Sequence, residues 1–143
     1  MDILSPATIR THEGSLSRNQ AIDLAGELLV EAGAVSADYV TSMHEREGSV
    51  STYMGNFLAI PHGTDSGKTF IQHSALSVIR TSEDVDWGGK PVRFIIGIAG
   101  IGDEHLGLLS NIAIIFSDGA AVERLLEAPD AAALFNELAG VNS

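Results

Sequence analysis

Two histidines and one arginine are the residues of this chain whose types and surroundings suggest chemistry. His62 stands between Pro61 and Gly63, directly after the short apolar run FLAI, which has the length of a buried strand. Because Pro61 should end that strand and Gly63 should loosen the backbone beyond it, we expect His62 at a strand edge, held but reachable. In α/β folds a rigid sheet places reactive groups at such positions.

A second histidine, His105, lies in the motif GIGDEHLG, which we expect to turn from a strand into the first turn of a helix. A helix N-terminus attracts anions and favours neutral imidazole. Arg46, near the end of a predicted helix, could add a permanent positive charge, although its glutamate-flanked run is more typical of a surface ion pair. If these residues share one pocket, two imidazoles and an arginine suit phosphoryl transfer, with a neutral histidine as nucleophile.

The same stretches resemble three other kinds of site only in part. The string HGTDSGKT, residues 62–69, nearly matches a nucleotide P-loop, but that motif requires glycine where His62 stands. GIAGIG, residues 97–102, has its glycines in the wrong order for a dinucleotide fingerprint. A zinc site through His62 and His105 has no HExxH pair and no thiolate to support it. We therefore expect no cofactor and no metal.

Composition limits the partners of this pocket. The chain has 143 residues, 45% of them hydrophobic, which is enough for one sizeable core, so we expect residues 1–143 to form a single domain. Eight Lys and Arg against nineteen Asp and Glu give a net charge of −11 with no basic cluster. Such a chain repels nucleic acid and anionic membranes and favours a basic protein partner.

The cysteine content and the apolar stretches of the sequence indicate the cellular compartment. It has no cysteine, which excludes disulfides and thiolate chemistry, and MDILSPATIR does not read as a signal peptide. No apolar stretch reaches membrane-spanning length, so we expect no direct membrane insertion and a cytoplasmic protein.

The elements that must position these residues alternate between strand and helix patterns. Ser17 and Gln20 form a capping box ahead of a helix, Ser36 can cap a second helix that frays near Gly48, and Asp103 can cap the helix that carries His105. The apolar run VRFIIGIA predicts the middle strand of a sheet. We predict strands over 3–12 (or an extended lead-in), 57–60, 74–80 and 92–99, and helices over 18–32, 36–48, 64–70, 104–116, 119–127 and 130–138. A turn over 84–90 is expected around Trp87, Gly88 and Gly89, with Trp87 partly buried. This alternation predicts a three-layer α/β domain.

Two long motifs resemble the signature regions of a known family. REGSVSTYMGNFLAIPHGT, residues 46–64, and GDEHLGLLSNIA, residues 102–113, are similar to the mannitol/fructose IIA components of the bacterial phosphoenolpyruvate-dependent sugar phosphotransferase system. STYMG followed by AIPHGT resembles the mannitol branch, since the nitrogen-regulatory and fructose branches tend to have glycine where Tyr53 stands. The similarity extends from the first helix to LFNELAG, residues 134–140, and so covers nearly the whole chain.

The resemblance implies a phosphotransferase with a mixed, mostly five-stranded sheet flanked by helices on both faces. The histidine matching His62 accepts a phosphoryl group from the histidine-containing phosphocarrier protein and passes it to a cysteine of the cognate IIB domain during mannitol uptake. The residues matching His105 and Arg46 steady that group, and no cofactor takes part. The chain differs from many mannitol-type relatives at Asn56, where they carry glutamate. The alternative is a nitrogen-type regulatory module controlled by histidine phosphorylation.

Two expectations concern how the site works. His62 should be the nucleophile, and His105 should donate a hydrogen bond to a phosphoryl oxygen from a neutral ring. Phe57, Leu58 and Ile60 lie close to His62 in sequence, so we expect them to give a partner apolar contacts around a shallow pocket.

Overall fold

The computed structural model describes residues 3–142, a single α/β domain built on one five-stranded sheet. The strands are β1 (Ile9–His12), β2 (Tyr53–Gly55), β3 (Leu58–Ala59), β4 (Ala75–Trp87) and β5 (Lys90–Ala99). The helices are α1 (Arg18–Glu31), α2 (Asp38–Ser49), α3 (Glu104–Phe116), α4 (Gly119–Glu127) and α5 (Ala131–Leu138), with 3₁₀ turns at Pro6–Thr8, Asp65–Phe70 and Ala139–Asn142. Residues 1, 2 and 143 of the predicted domain lie outside the described residues.

The sheet is mixed, with strand order β1-β4-β5-β3-β2. β4 and β5 form a long antiparallel hairpin, β1 is parallel to β4, β3 is parallel to β5, and β2 is antiparallel to β3. The prediction that the run VRFIIGIA forms the middle strand is confirmed, since β5 has two strands on either side. Its apolar residues are needed on both faces because neither face of a middle strand is open to water.

Helices cover both faces of the sheet, which confirms the three-layer prediction. Phe94, Ile96 and Ile98 of β5 pack in one core cluster with residues of α3, α4 and α5. The alternate residues Ile95 and Ala99 pack in a second cluster with residues of α1 and α2. Within residues 3–142 no single helix is long and apolar enough to cross a membrane. The helices α3 and α4 have that length and composition only when taken together, and they meet at a bend of 88°.

The turn predicted around Trp87 is shorter in the structure, because its first half is the end of a strand. β4 continues to Trp87, and the turn itself is the pair Gly88 and Gly89, with φ of 64° and 90°. Val85 and Trp87 are fully buried and alternate with exposed Asp86, the period-two pattern of a half-covered strand. The predicted turn is therefore confirmed at its two glycines and wrong over 84–87, where Asp84 and Asp86 mark the outward face of a strand.

The helix starts were predicted with mixed success. The capping box is confirmed, because the Ser17 side chain accepts from the Gln20 amide and the Gln20 side chain accepts from the Ser17 amide. The Ser36 cap is wrong: α2 begins after Ala37, and the Ser36 hydroxyl makes no capping bond. Asp103 precedes α3 as predicted but provides no side-chain cap either.

Candidate functional site

His62 lies beside the carboxyl end of the central strand. The amide of Ile98 in β5 donates to the carbonyl of Pro61 at 3.0 Å, and His62 forms a single parallel bridge with Ile98. The predicted strand over 57–60 is shorter in the structure, where only Leu58–Ala59 pairs regularly. His62 therefore stands where the chain leaves the sheet, which places a half-buried ring on a rigid backbone.

The hydrogen bond of the His62 ring decides which of its nitrogens is reactive. Nδ1 lies 2.8 Å from the carbonyl oxygen of Ile60. A carbonyl only accepts, so Nδ1 carries the proton and Nε2 of the neutral ring carries the lone pair. Burial lowers the pKa of His62, and the nearby Arg46 and His105 lower it further, while the bond to Ile60 and the charge of Glu47 act in the opposite direction. The net lowering favours the neutral, nucleophilic ring at pH 7.

Two hydroxyls of α2 hold the loop that follows His62. The Tyr39 hydroxyl donates to the carbonyl of Ile98 at 2.6 Å and accepts from the amide of Gly63 at 2.9 Å. Ser42 Oγ accepts from the amide of Thr64 at 2.8 Å. Burial raises the pKa of Tyr39, which keeps the phenol protonated and able to donate. Sequence reasoning assigned Tyr39 no role, because nothing in the spacing shows where a hydroxyl points.

Gly63 is present for close packing and not, as predicted, to loosen the backbone. A Cβ added there would lie 2.5 Å from Cε1 of Tyr39, and one added at Gly67 would lie 2.0 Å from Oγ of Ser42. Both distances are shorter than any side chain tolerates. Two glycines therefore allow the loop to lie directly on α2.

His105 is held near the same strand end by a tight turn. It is half-buried in the first turn of α3, as predicted, with Nδ1 3.2 Å from the carbonyl oxygen of Gly102. A Cβ at Gly100 would lie 2.5 Å from the amide nitrogen of His105, so only glycine lets α3 start this close to β5. Ser74 Oγ accepts from the amide of Ile101 at 2.9 Å and donates to the carboxylate of Glu104.

Arg46 lies in the last turn of α2 and lines the same pocket as the two histidines. Its Nη1 donates to the carbonyl of Val50 at 2.8 Å, a bond that folds the guanidinium over the end of its own helix. A cation at this end of a helix also interacts favourably with the carbonyl dipoles there. Among the described residues, Arg46 forms no ion pair with Glu45 or Glu47 of the kind considered above. The carboxylate of Glu47 instead bonds to Thr52 and Trp87.

Glu47 is a buried carboxylate that sequence reasoning missed. Its oxygens accept from the amide of Thr52 at 3.1 Å, from the Thr52 hydroxyl at 2.6 Å and from the Trp87 indole nitrogen at 2.6 Å. A buried carboxylate requires such donors. These bonds join the end of α2 to the β4–β5 hairpin, and because Arg46 is the preceding residue, they also fix the backbone that carries its guanidinium.

The predicted residues His62, His105 and Arg46 line one pocket of about 190 Å³. Lys68 also lines it, so the pocket gathers basic and imidazole groups in an otherwise acidic chain. The remaining lining residues are Tyr39, Gly63, Thr64, Asp65, Ile71, Ile98 and Gly100. A small, partly enclosed site with several nitrogen donors suits a phosphoryl group. Among residues 3–142, no group of three or more His, Cys, Asp or Glu is placed to hold a metal ion.

Asn56 does not belong to this pocket. Its amide donates to the carbonyl of Phe116 in α3 at 2.7 Å, and its backbone has a φ of 51°, a conformation that asparagine tolerates well. The next residue, Phe57, also has positive φ, at 68°. Asn56 therefore serves the turn between β2 and β3 and supplies no charge to His62.

A family model decides what this architecture is. The model for the phosphoenolpyruvate-dependent sugar phosphotransferase system, EIIA 2, matches residues 2–140. The chain belongs to this family. It is 50% identical over 140 residues to the mannitol-specific phosphotransferase enzyme IIA component of Halalkalibacterium halodurans, which covers 98% of this chain and 97% of that protein. It is 44% identical over 142 residues to the protein of the same description from Bacillus subtilis, covering 96% and 99% of the two chains.

Solved structures show the same fold in this family. The complex of enzyme IIAMTL and phosphorylated enzyme IIBMTL from Escherichia coli contains a chain that superposes with a TM-score of 0.89 at 29% identity, covering 96% of this chain and 97% of that one. The nitrogen regulatory protein IIA-Ntr from Neisseria meningitidis superposes with a TM-score of 0.81 at 30% identity, covering 95% and 96%. The fold is thus shared by mannitol and nitrogen-regulatory proteins, whereas the sequence relatives above are mannitol-specific.

Proposed function

We propose that this chain is the phosphoryl carrier of a mannitol phosphotransferase system and that it works in the cytoplasm. His62 takes a phosphoryl group from the phosphohistidine of the histidine-containing phosphocarrier protein and passes it to a cysteine of the cognate IIB domain. The observation that carries the proposal is the His62 ring, whose Nδ1 is fixed on the carbonyl of Ile60 within a pocket that also contains His105 and Arg46. Mannitol-specific relatives at 44% and 50% identity support the sugar.

The geometry of His62 matches the electron flow of the transfer. The Nε2 lone pair attacks phosphorus, the P–N bond of the donor breaks, and its electron pair returns to the donor's imidazole. The His62 ring becomes positive as the new bond forms, and its Nδ1–H, 2.8 Å from the Ile60 oxygen, then makes a stronger charge-assisted bond. A cysteine thiolate of IIB reverses these steps by attacking the phosphorus and displacing Nε2.

In this proposal Arg46 and His105 stabilise the oxygens of the phosphoryl group. The guanidinium supplies a permanent charge to the pocket. His105 revises our expectation of a neutral donor: because its Nδ1 proton faces the carbonyl of Gly102, Nε2 of the neutral ring has no proton to donate. Donation from Nε2 therefore requires the imidazolium form of the ring.

The apolar contacts for a partner differ from those expected. Leu58 and Ile60 are buried in the core and cannot touch a partner, and Phe57 is half-buried against the same core. The exposed apolar side chains adjoining the site in sequence are Val50, Met54, Ile101 and Leu106, which are 44–64% exposed. Val50 adjoins Arg46 through its carbonyl, and Ile101 and Leu106 flank the loop of His105. We propose that these residues form the docking rim for both partners.

Phosphoryl transfer from purified components tests the proposal. Incubation with phosphoenolpyruvate, enzyme I and the phosphocarrier should add one acid-labile phosphoryl group per chain, located on His62 by tandem mass spectrometry. Addition of a mannitol-type IIB domain should then remove it rapidly. Absence of any adduct on His62 would refute the proposal.

The regulatory module is the alternative, and it is not favoured, because the relatives at 44% and 50% identity are mannitol-specific and the fold shared with the nitrogen regulatory protein of Neisseria meningitidis does not separate the two. Such a module would also accept the phosphoryl group. It would not pass it productively to a IIB cysteine, so the transfer half of the same experiment separates the two functions.

A further inference from the structure

Lys68 is a fourth nitrogen-bearing side chain of the pocket, and the chemistry described above does not use it. Its ammonium donates to the backbone carbonyl of Gly102 at 3.1 Å. The same oxygen lies 3.2 Å from Nδ1 of His105. A carbonyl oxygen has two lone pairs and can accept from both donors. One backbone oxygen therefore joins the loop that follows His62 to the side chain of His105.

The two sides of this connection differ in how firmly they are held. Lys68 lies in the 3₁₀ turn Asp65–Phe70, which is capped by the Thr64 hydroxyl at 3.2 Å from the amide of Gly67. That turn packs directly on Ser42 of α2. Gly102, in contrast, is exposed, has a φ of 59° and has no atom within 4 Å of the position of a Cβ. A glycine in open space has wide conformational freedom, so the Lys68 contact restricts where its carbonyl points.

We propose that Lys68 is a positioning residue for His105. By holding the Gly102 carbonyl toward Nδ1, it keeps a proton on that nitrogen and fixes the ring so that Nε2 is the nitrogen left to donate to a phosphoryl oxygen once the ring is protonated. Lys68 then acts through His105 and not by touching the phosphoryl group itself. This inference rests on the proposed function, because it assigns a purpose to His105 in that reaction.

A first experiment examines the unphosphorylated protein and so does not depend on any transfer. Histidine-labelled ¹⁵N spectra report the tautomer of each ring. The change Lys68→Met should shift the two ring nitrogens of His105 away from the Nδ1–H pattern toward a mixture of tautomers, and should leave His62 unchanged. Lys90→Met is the matched control, because Lys90 is exposed at the start of β5 and its loss changes the net charge equally. An unchanged His105 in Lys68→Met would overturn the proposal.

A double-mutant cycle on the rate of transfer to the IIB domain is the second experiment. Lys68→Met should slow transfer about tenfold, the effect of one lost hydrogen bond to a positioned group, with the label still on His62. Lys68→Arg should recover most of that rate. In a His105→Ala background the same change should have no further effect, since residues acting as one unit are not additive. Independent, multiplying effects would show that Lys68 contacts the phosphoryl group or the partner directly. If the wild type accepts no phosphoryl group, the proposed function fails while the tautomer result still stands.

Discussion

The two histidines of the pocket are held in different ways. His62 follows a strand of the sheet, its ring bonds to the backbone of Ile60, and buried hydroxyls of α2 fix the loop beyond it. His105 lies at the exposed start of a helix, and the turn before it is held by polar side chains from other segments, among them Ser74. His62, which must form a bond with phosphorus, is thus held rigidly. His105, which must only contact the phosphoryl oxygens, is held less firmly and can adjust its position. Pre-organisation is most valuable at the nucleophile, where a small misplacement is costly.

The largest expected effect is at His62. His62→Ala should abolish phosphorylation altogether, because no other side chain of the pocket is positioned in the same way against the central strand. Labelling with phosphoenolpyruvate, enzyme I and the phosphocarrier measures this. His12→Ala is the matched control, since His12 ends β1 at the opposite edge of the sheet. Retained labelling in His62→Ala would contradict the claim that His62, and not His105, is the phosphoryl acceptor.

The next effect is at His105. His105→Ala should still accept the phosphoryl group on His62 but should transfer it about 10²–10³-fold more slowly, which is the common cost of losing one donor to a developing oxyanion. Quenched-flow measurement of transfer to the IIB domain gives the rate. Complete loss of labelling would show that His105 is required for acceptance itself.

Tyr39→Phe tests the rigid side of the comparison. The change leaves the Gly63 amide without its acceptor and the Ile98 carbonyl without that donor, so the free energy of unfolding should fall by about 1–3 kcal/mol. Urea denaturation measures the loss. The pH dependence of labelling should change as well, because the loop that carries His62 would no longer be fixed to the strand. A stable variant with normal labelling would show that the phenol does not position His62.

The smallest effect concerns pH. Burial lowers the pKa of His62, and the positive surroundings lower it further. The neutral ring should therefore persist as the pH falls below 6.5, the usual value for histidine, and phosphoryl acceptance should decline only at a lower pH than for an ordinary exposed histidine. An NMR titration of the unphosphorylated protein measures the pKa directly. A pKa of His62 at or above 6.5 would contradict the account of its burial.

The sequence predicted the parts of the molecule where local pattern and chemistry agree. The apolar run of β5, the capping box of α1 and the place of His62 after a proline are all visible without a structure. Long-range contacts were not predictable: Tyr39 meets Gly63 and Ile98 only because α2 packs on one sheet face, and no spacing encodes that meeting.

The errors at Leu58, Ile60 and Glu47 share one physical origin. Leu58 and Ile60 were expected to meet a partner because they are near His62 in sequence, but both side chains are buried in the core. Glu47 was passed over as one charge among several, although its burial against Thr52 and Trp87 makes it structural. Proximity along the chain does not report which way a side chain faces.

The central claim is that Nε2 of His62 carries the phosphoryl group while Nδ1 keeps its proton on the carbonyl of Ile60. One-bond ¹⁵N–³¹P coupling in histidine-labelled, phosphorylated protein tests it most directly. The account predicts coupling at Nε2 of His62, with Nδ1 still protonated and its proton protected from exchange. Coupling at Nδ1 of His62, or at either nitrogen of His105, would contradict it.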